Sequence, residues 1–341
     1  MTSLLTSLDP PVVGAPMAGG ISTPLLVAAV CDAGGLGMLA AGYRTPEQLA
    51  ADLVHTRDLT PRPFGVNLFV PSPVDRERHE AAVDAYRERL VPEAVALGVE
   101  PGHPSWGDTD YWADKVLLVE TLAPAVVSCT FGVPDRETVA RWQAAGSEVH
   151  VTVTSLEEAR AAAAVGPDAL VLQGHEAGGH RGTHDVAAEP SVVDHLGLLE
   201  MVAPETDLPL VAAGGITTAG DVRRALDAGA TAVQVGTALL LATEAGSSAT
   251  YRAALRDPSL TERVTTRAFS GRVAGAVRNG FVDRHDGHAP AAFPAVDQVT
   301  KPLRAAAAAA GDVDRIHIWA GAGWRACQDR SAVEIVRGLT S

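Results

Sequence analysis

Residues 172–185, LQGHEAGGHRGTHD, gather three imidazoles, two carboxylates and four glycines into a stretch too glycine-rich for a regular element. Three chemistries compete for such a segment. A metal site would draw on His175, Glu176, His180 and His184, but a glycine-rich loop is a poor rigid platform for fixed ligands, and the spacing matches no helix-borne zinc pattern. We therefore expect no metal. The second chemistry is proton transfer by a single imidazole: His180 follows Gly178-Gly179, whose missing side chains let backbone come close to a ligand, and an imidazole there can project over a bound ring. His175 and His184 read as solvated loop histidines. The third is recognition by Gln173, the first polar residue after the apolar run 169–172, whose amide both donates and accepts and so suits the edge of a heteroaromatic ring.

Two further turns look built for a phosphate. The segment 208–241, LPLVAAGGITTAGDVRRALDAGATAVQVGTALLL, contains two short apolar runs, 210–213 and 232–235, of the kind expected for strands buried on both faces. The first runs into Gly214-Gly215 and the second, through Gln234 and Val235, into Gly236-Thr237. Glycine turns at the same end of neighbouring parallel strands expose backbone N–H groups, an arrangement that cradles phosphate after strands 7 and 8 of a (β/α)8 barrel. Between them Val222, Ala225 and Leu226 share one helical face, and Gly229 supplies a stop. Asn67, within FGVNLF, is an amide in an otherwise apolar run and must find a partner, either a ligand or a neighbouring loop carbonyl. Met17 and the small residues of APMAGG form a surface on which a flat ligand could lie, or simply a tight barrel turn. Nucleophile elbows, Walker loops and Ser-His-Asp arrangements are absent, so the reactivity is expected to come from a cofactor that the protein positions.

The remaining composition sets bounds. The 341 residues are 47% hydrophobic but only 4% aromatic, so the core must be built from Ala, Val and Leu. A formal charge of −14 with no basic run argues against nucleic-acid binding, and an anionic ligand needs a locally built cationic site. Three cysteines without metal spacing, and an N-terminus without a basic signal region, point to the reducing cytoplasm. The apolar stretch 23–42 is interrupted by Asp32 and by glycines, which excludes a membrane span and reads as helix, turn and strand.

Eight strand-length apolar runs, at 11–15, 37–41, 64–69, 125–129, 149–153, 169–172, 210–213 and 232–235, alternate with helical patterns. That alternation predicts an α/β fold, a (β/α)8 TIM barrel of about 250 residues. Glycine turns and stops near Gly19-Gly20 and Gly34 are echoed at Gly214-Gly215 and Gly229, as repeated βα units require. Residues 1–245 are assigned to the barrel, with a helical insertion at about 71–121 in which Val83, Tyr86 and Leu90 mark one helix face. Residues 246–341, including the alanine run before Gly311 and the segment IHIWAGAGW, are assigned to a smaller helical subdomain covering the substrate.

Taken together, APMAGGIST, FGVNLF, GHEAGGHRG, AAGGIT with QVGTALL, TRAFSGR and IWAGAGW make the chain resemble the class I nitronate monooxygenases, the 2-nitropropane dioxygenase-like enzymes. The first four are shared by a wider flavin barrel group; the last two favour the monooxygenases within it. The resemblance implies FMN held by Asn67, Gln173, Gly178, Gly215 and Gln234 to Thr237, with Gly214 and Met17 beside them and His180 as the catalytic histidine. It implies oxidative denitrification of an alkyl nitronate such as propionate 3-nitronate by oxygen, to an aldehyde and nitrite, in a monomer or homodimer. The nearest alternative is an FMN-dependent enoyl-acyl-carrier-protein reductase using NAD(P)H; a flavin-free sugar-phosphate isomerase barrel is more distant. Where the family often has WAGQGY, this chain has Ala322 and Trp324, so a polar group and a phenol are missing from that position.

Overall fold

The computed structural model describes residues 3–72 and 74–340. Its strands are β1 (Val12–Gly14), β2 (Leu36–Ala40), β3 (Gly65–Phe69), β4 (Val126–Thr130), β5 (Glu148–Val153), β6 (Ala169–Gln173), β7 (Gly179–His180), β8 (Leu210–Ala213), β9 (Ala232–Val235), β10 (Arg263–Thr266) and β11 (Ala274–Val277). All but β7, β10 and β11 form a closed parallel barrel, β9 returning to pair with β1 at Val13–Gln234. Each of the eight apolar runs read from the sequence is one barrel strand, with ends moved by a residue or two.

The period of two along each strand sorts side chains into two layers. Val127, Cys129, Val149, Val151, Leu170, Leu172, Val233 and Val235 face the surrounding helices and pack there. Val13, Leu36, Met38, Val126, Val171, Val211 and Ala232 face inward, and Leu5 of the N-terminal turn Leu4–Ser7 joins them as a plug. Further toward the carboxyl ends the inward positions turn polar, with Asn67 beside Ser128, and Gln173 level with Ala213 and Gln234. This change from apolar to polar along the interior puts the site at the outgoing strand ends.

The helices begin where the sequence supplies caps. Thr218 and Asp221 form a capping box at the start of helix Ala219–Asp227, immediately after the Gly214-Gly215 turn, which is worth about 1 kcal/mol. The repeated glycine turns share their geometry: Gly19, Gly20, Gly34, Gly214, Gly215 and Gly229 all have positive φ.

The insertion and the tail pack on each other. Helix Arg76–Arg89 buries Val83 and Tyr86, and with Leu90 they join Phe269, Phe281, Val296 and Val299 in one apolar cluster. The Tyr86 hydroxyl donates to the Ala268 carbonyl at 2.6 Å. Glu93 anchors the same contact through Arg284 at 2.6 Å, His285 at 3.0 Å and Arg315 at 2.6 Å. The alanine run ends helix Ala295–Ala310, and Gly311 closes it in the left-handed conformation. One expectation is corrected. The tail is not wholly helical: β10 and β11 form a sheet whose third strand is β7, from the histidine-rich loop, with Ala274 opposite His180. A two-residue strand paired so far along the chain leaves no local periodicity to read.

Candidate active site

A cavity of about 610 Å³ opens at the carboxyl ends of the barrel strands, within the range of small-molecule and cofactor sites. Met17, Asn67, Gln173, Gly178, His180, Gly214, Gly215, Gln234, Gly236 and Thr237 all line it. Val235 does not. The strand's alternation turns its side chain outward into the apolar helix layer, where it is 1% exposed, so only its backbone belongs to the turn.

The two glycine turns are open to a ligand. Gly214 and Gly215 have φ of 105° and 70°, a region that strains any side chain. A β-carbon on Gly214 would lie 3.1 Å from the Ala177 nitrogen, and one on Gly215 would lie 3.0 Å from the Glu176 side chain. Among the described residues, the backbone N–H groups of Gly214, Gly215, Gly236 and Thr237 donate to no protein acceptor. Clustered unpaired N–H groups at adjacent strand ends are what an anion requires. Positive charge is supplied locally by Arg44, Lys301 and Arg304, which line the same cavity. Arg304 is itself held by the buried Asp297 at 2.7 Å.

Three expectations about amides and loops acquire definite partners. Asn67 Nδ2 donates to Ser128 Oγ and Thr130 Oγ1, each at 2.9 Å, so the neighbouring strand satisfies its donors. Gln173 Nε2 donates to the His180 carbonyl at 3.1 Å, while its Oε1 accepts from the Gly182 amide at 2.8 Å. That side chain therefore fixes the histidine loop while its face remains on the cavity. The loop is also more rigid than its glycines suggest. Buried Arg181 donates to the carbonyls of Gly174 and Gln173, and Arg263 donates to those of His175 and Ala177, both at 2.8 Å. Nor is His184 merely solvated, since its Nε2 lies 3.0 Å from the Thr152 carbonyl. Among the described residues no three His, Cys, Asp or Glu side chains converge as metal ligands would.

His180 sits in β7 within a ring of aromatics, its centroid 5.3 Å from Phe293, 5.5 Å from Trp319 and 5.9 Å from Phe131. Its Nε2 lies 2.8 Å from Ser270 Oγ, and that hydroxyl in turn donates to the Arg272 carbonyl at 3.2 Å. When the serine hydrogen serves the Arg272 carbonyl, Nε2 carries the imidazole proton and Nδ1 is the basic nitrogen; when it serves Nε2, the two ring nitrogens exchange roles. Burial pushes the imidazole down to about 3, helped by the charges of Arg272 and Arg304. At neutral pH the ring is uncharged, so it can accept a proton or a hydrogen bond but offers no cation. Arg272 is 1% exposed and stacks on the Phe131 ring at 4.0 Å. Ser270, Arg272, Phe131 and Arg304 escape the analysis of isolated motifs; the first two are visible only within TRAFSGR.

The tail completes the walls. Gly321 N–H donates to Thr237 Oγ1 at 2.9 Å, and Ala322 N–H donates to the Glu176 carbonyl at 2.9 Å. A β-carbon on Gly178 would come within 2.5 Å of the Gly321 nitrogen, so the glycine there is needed for the tail to close down on the loop.

A sequence profile of nitronate monooxygenase matches residues 2–341. The chain belongs to the nitronate monooxygenase family. Relatives named nitronate monooxygenase include one from Pseudomonas aeruginosa, 39% identical with 98% of this chain and 96% of that protein covered, and one from Paraburkholderia phytofirmans, 37% identical with 98% and 92% covered. Among solved structures, the nitroalkane oxidase from Streptomyces ansochromogenes superposes with a TM-score of 0.95 at 44% identity, over 98% of this chain and 96% of that one. FabK from Thermotoga maritima superposes with a TM-score of 0.76 over 98% and 93%, but at 24% identity the likeness shows a shared fold only. The family resemblance, the barrel and the assignment as an oxidoreductase are all borne out for this nitronate monooxygenase family member. Nitronate oxidation is the activity that these relatives support. No described helix is long and apolar enough to cross a membrane.

Proposed function

We propose that this enzyme binds FMN in the barrel-mouth cavity and oxidises alkyl nitronates such as propionate 3-nitronate with oxygen, releasing nitrite and an aldehyde. The observation carrying this reading is an uncharged imidazole, His180, on the wall of a cavity whose floor holds two glycine turns with unpaired N–H groups. A riboflavin phosphate fits those residues. Its phosphate would take the amides of Gly214, Gly215, Gly236 and Thr237, and its ring edge would meet the polar belt of Asn67, Gln173 and Gln234 near Met17. When bound, the flavin supplies the electron transfer from nitronate to oxygen that no side chain here provides. His180 acts by hydrogen bonding to the nitronate or by taking a carbon-bound proton from its neutral nitroalkane, and Ser270 holds the imidazole through Nε2. Phe131, Phe293 and Trp319 give the imidazole an apolar surround on the cavity wall. Residues 246–341, with the insertion at 71–121, serve as the cover over a barrel of residues 1–245, a division supported by the tail residues Arg304 and Trp319 on the cavity wall.

The test is a visible spectrum of the purified protein, followed by nitrite release from propionate 3-nitronate in air. A flavin spectrum that bleaches anaerobically with nitronate, but not with NADH, supports the proposal. Rapid bleaching by NADH with no nitrite points to a reductase instead. Gly215→Val tests the phosphate position separately. It places a branched side chain at positive φ beside Glu176, and it should weaken FMN retention by about tenfold or more on dialysis, since a 1.4 kcal/mol loss already reaches that factor. Unchanged retention would remove this turn from the binding site.

A further inference from the structure

Tyr43 has no part in the site as described so far, yet the chain strains its backbone to hold that residue at the cavity. It lines the cavity with φ of 66°, where a non-glycine residue is uncommon. Two of the other left-handed non-glycine residues, Asp110 and Tyr111, belong to the contact that holds it there. The Tyr43 amide donates to Asp110 Oδ1 at 2.9 Å. Lys115, 1% exposed, pairs with Asp110 at 2.7 Å and donates to the Ala41 carbonyl at 2.9 Å, so it grips both ends of the turn. Beneath the turn Gly42 leaves room for Phe69, since a β-carbon there would fall 2.2 Å from that ring. Phe69 meets the Tyr43 ring edge-on at 5.7 Å and touches Phe131 at 4.5 Å, which in turn faces His180. Strain of this kind persists only where surrounding structure over-determines it, and it gathers at ligand sites. No hydrogen-bond partner from the described residues engages the Tyr43 hydroxyl, while Asp297, Arg304 and Arg272 act on it electrostatically.

We propose that Tyr43 is a substrate-binding and specificity-determining residue whose hydroxyl donates a hydrogen bond to an anionic oxygen of the nitronate, and that Lys115 and Asp110 are its positioning residues. This rests on the nitronate reading above. A phenol is an uncharged donor at neutral pH, so it favours the anion over its neutral nitroalkane parent.

The experiment compares flavin-loaded wild type, Tyr43→Phe, Lys115→Met and the double variant. An alkyl nitronate is the substrate, and its neutral nitroalkane parent is the competing ligand. Tyr43→Phe keeps the ring on Phe69 and should raise KM for the nitronate by about tenfold or more while kcat changes less, since a hydrogen bond to a charged group is lost. The inhibition constant of the neutral nitroalkane should stay near its wild-type value. Lys115→Met should raise the nitronate KM in the same direction, and the double variant should be no worse than Tyr43→Phe alone, because the clamp works through the phenol. A folded, flavin-loaded Tyr43→Phe with the wild-type KM overturns the proposal, as does an equal loss for the neutral ligand. Additive losses in the double variant overturn the clamp. If wild type itself releases no nitrite, the failure lies in the nitronate reading; if wild type is active and Tyr43→Phe is unchanged, it lies here.

Discussion

Replacing His180 by asparagine lowers nitronate turnover by about 10²–10⁴-fold, the range expected when a positioned acid or base is removed, and leaves the flavin bound. The two readouts separate because the imidazole belongs to the wall of the cavity, whereas the unpaired amides of Gly214, Gly215, Gly236 and Thr237 lie at its floor. Asparagine is too short for its amide to replace Nε2 at Ser270, but the β7–β11 pairing at Ala274 is made by backbone and survives. Nitrite release and the visible spectrum check both halves, and undiminished turnover would remove His180 from the mechanism. The same environment sets the pH dependence. With its imidazole held at about 3, below the ordinary 6.5, His180 stays in its uncharged form down to strongly acidic pH. A rate that needs the uncharged ring falls only as pH drops toward that low value, and kcat/KM shows no acidic limb near 6.5.

Glu93→Gln destabilises the protein by about 3 kcal/mol at neutral pH, and the loss disappears in acid. Burial by itself would raise the Glu93 carboxyl, but hydrogen bonds from His285, Arg284 and Arg315 overcome it and hold the group at about 2, against an ordinary value of 4.5. The folded value is the lower one, so the contribution is complete above about pH 5 and is lost as pH falls toward 2. Glutamine keeps the shape and one acceptor but cannot answer three donors with charge, leaving Arg284 and Arg315 without their carboxylate. Chemical denaturation of both proteins at pH 7 and pH 3 measures the effect. A constant difference between the two conditions would mean that the carboxylate charge is irrelevant to this contact. Because Glu93 lies in helix Val91–Ala96 and its partners in the tail, the insertion should loosen from the tail before the barrel opens.

The barrel was legible because each strand carries its own signal. Runs such as 169–172 and 210–213 are apolar on both faces and bounded by glycine or polar residues, and burial on both sides of a parallel sheet demands that pattern. The glycine turns at Gly214 and Gly236 were legible for the same local reason. What stayed hidden depends on contacts distant in sequence. Ser270 meets His180 across 90 positions, and no periodicity in either segment announces it. Arg181 and Arg263 look like ordinary surface cations in the sequence, yet both lock loop carbonyls from within the protein. Tyr43 reads as a loop aromatic until its φ and its tie to Asp110 are seen. Val235 differs for another reason: alternation along the strand sends its side chain away from the cavity and leaves only its backbone in the turn.

The tail's grip on the barrel also bears on biosynthesis. Gly321 is bonded to Thr237 and packs beneath Gly178, and Val12 must pair with Val233 before the barrel can close. A nascent chain on the ribosome thus has most of its strands folded long before the last wall of the pocket exists. On the FMN reading, the pocket is complete only after the chain has left the ribosome, and a chain stopped between residues 245 and 321 keeps the two glycine turns but lacks the last wall, so it should hold the flavin less tightly.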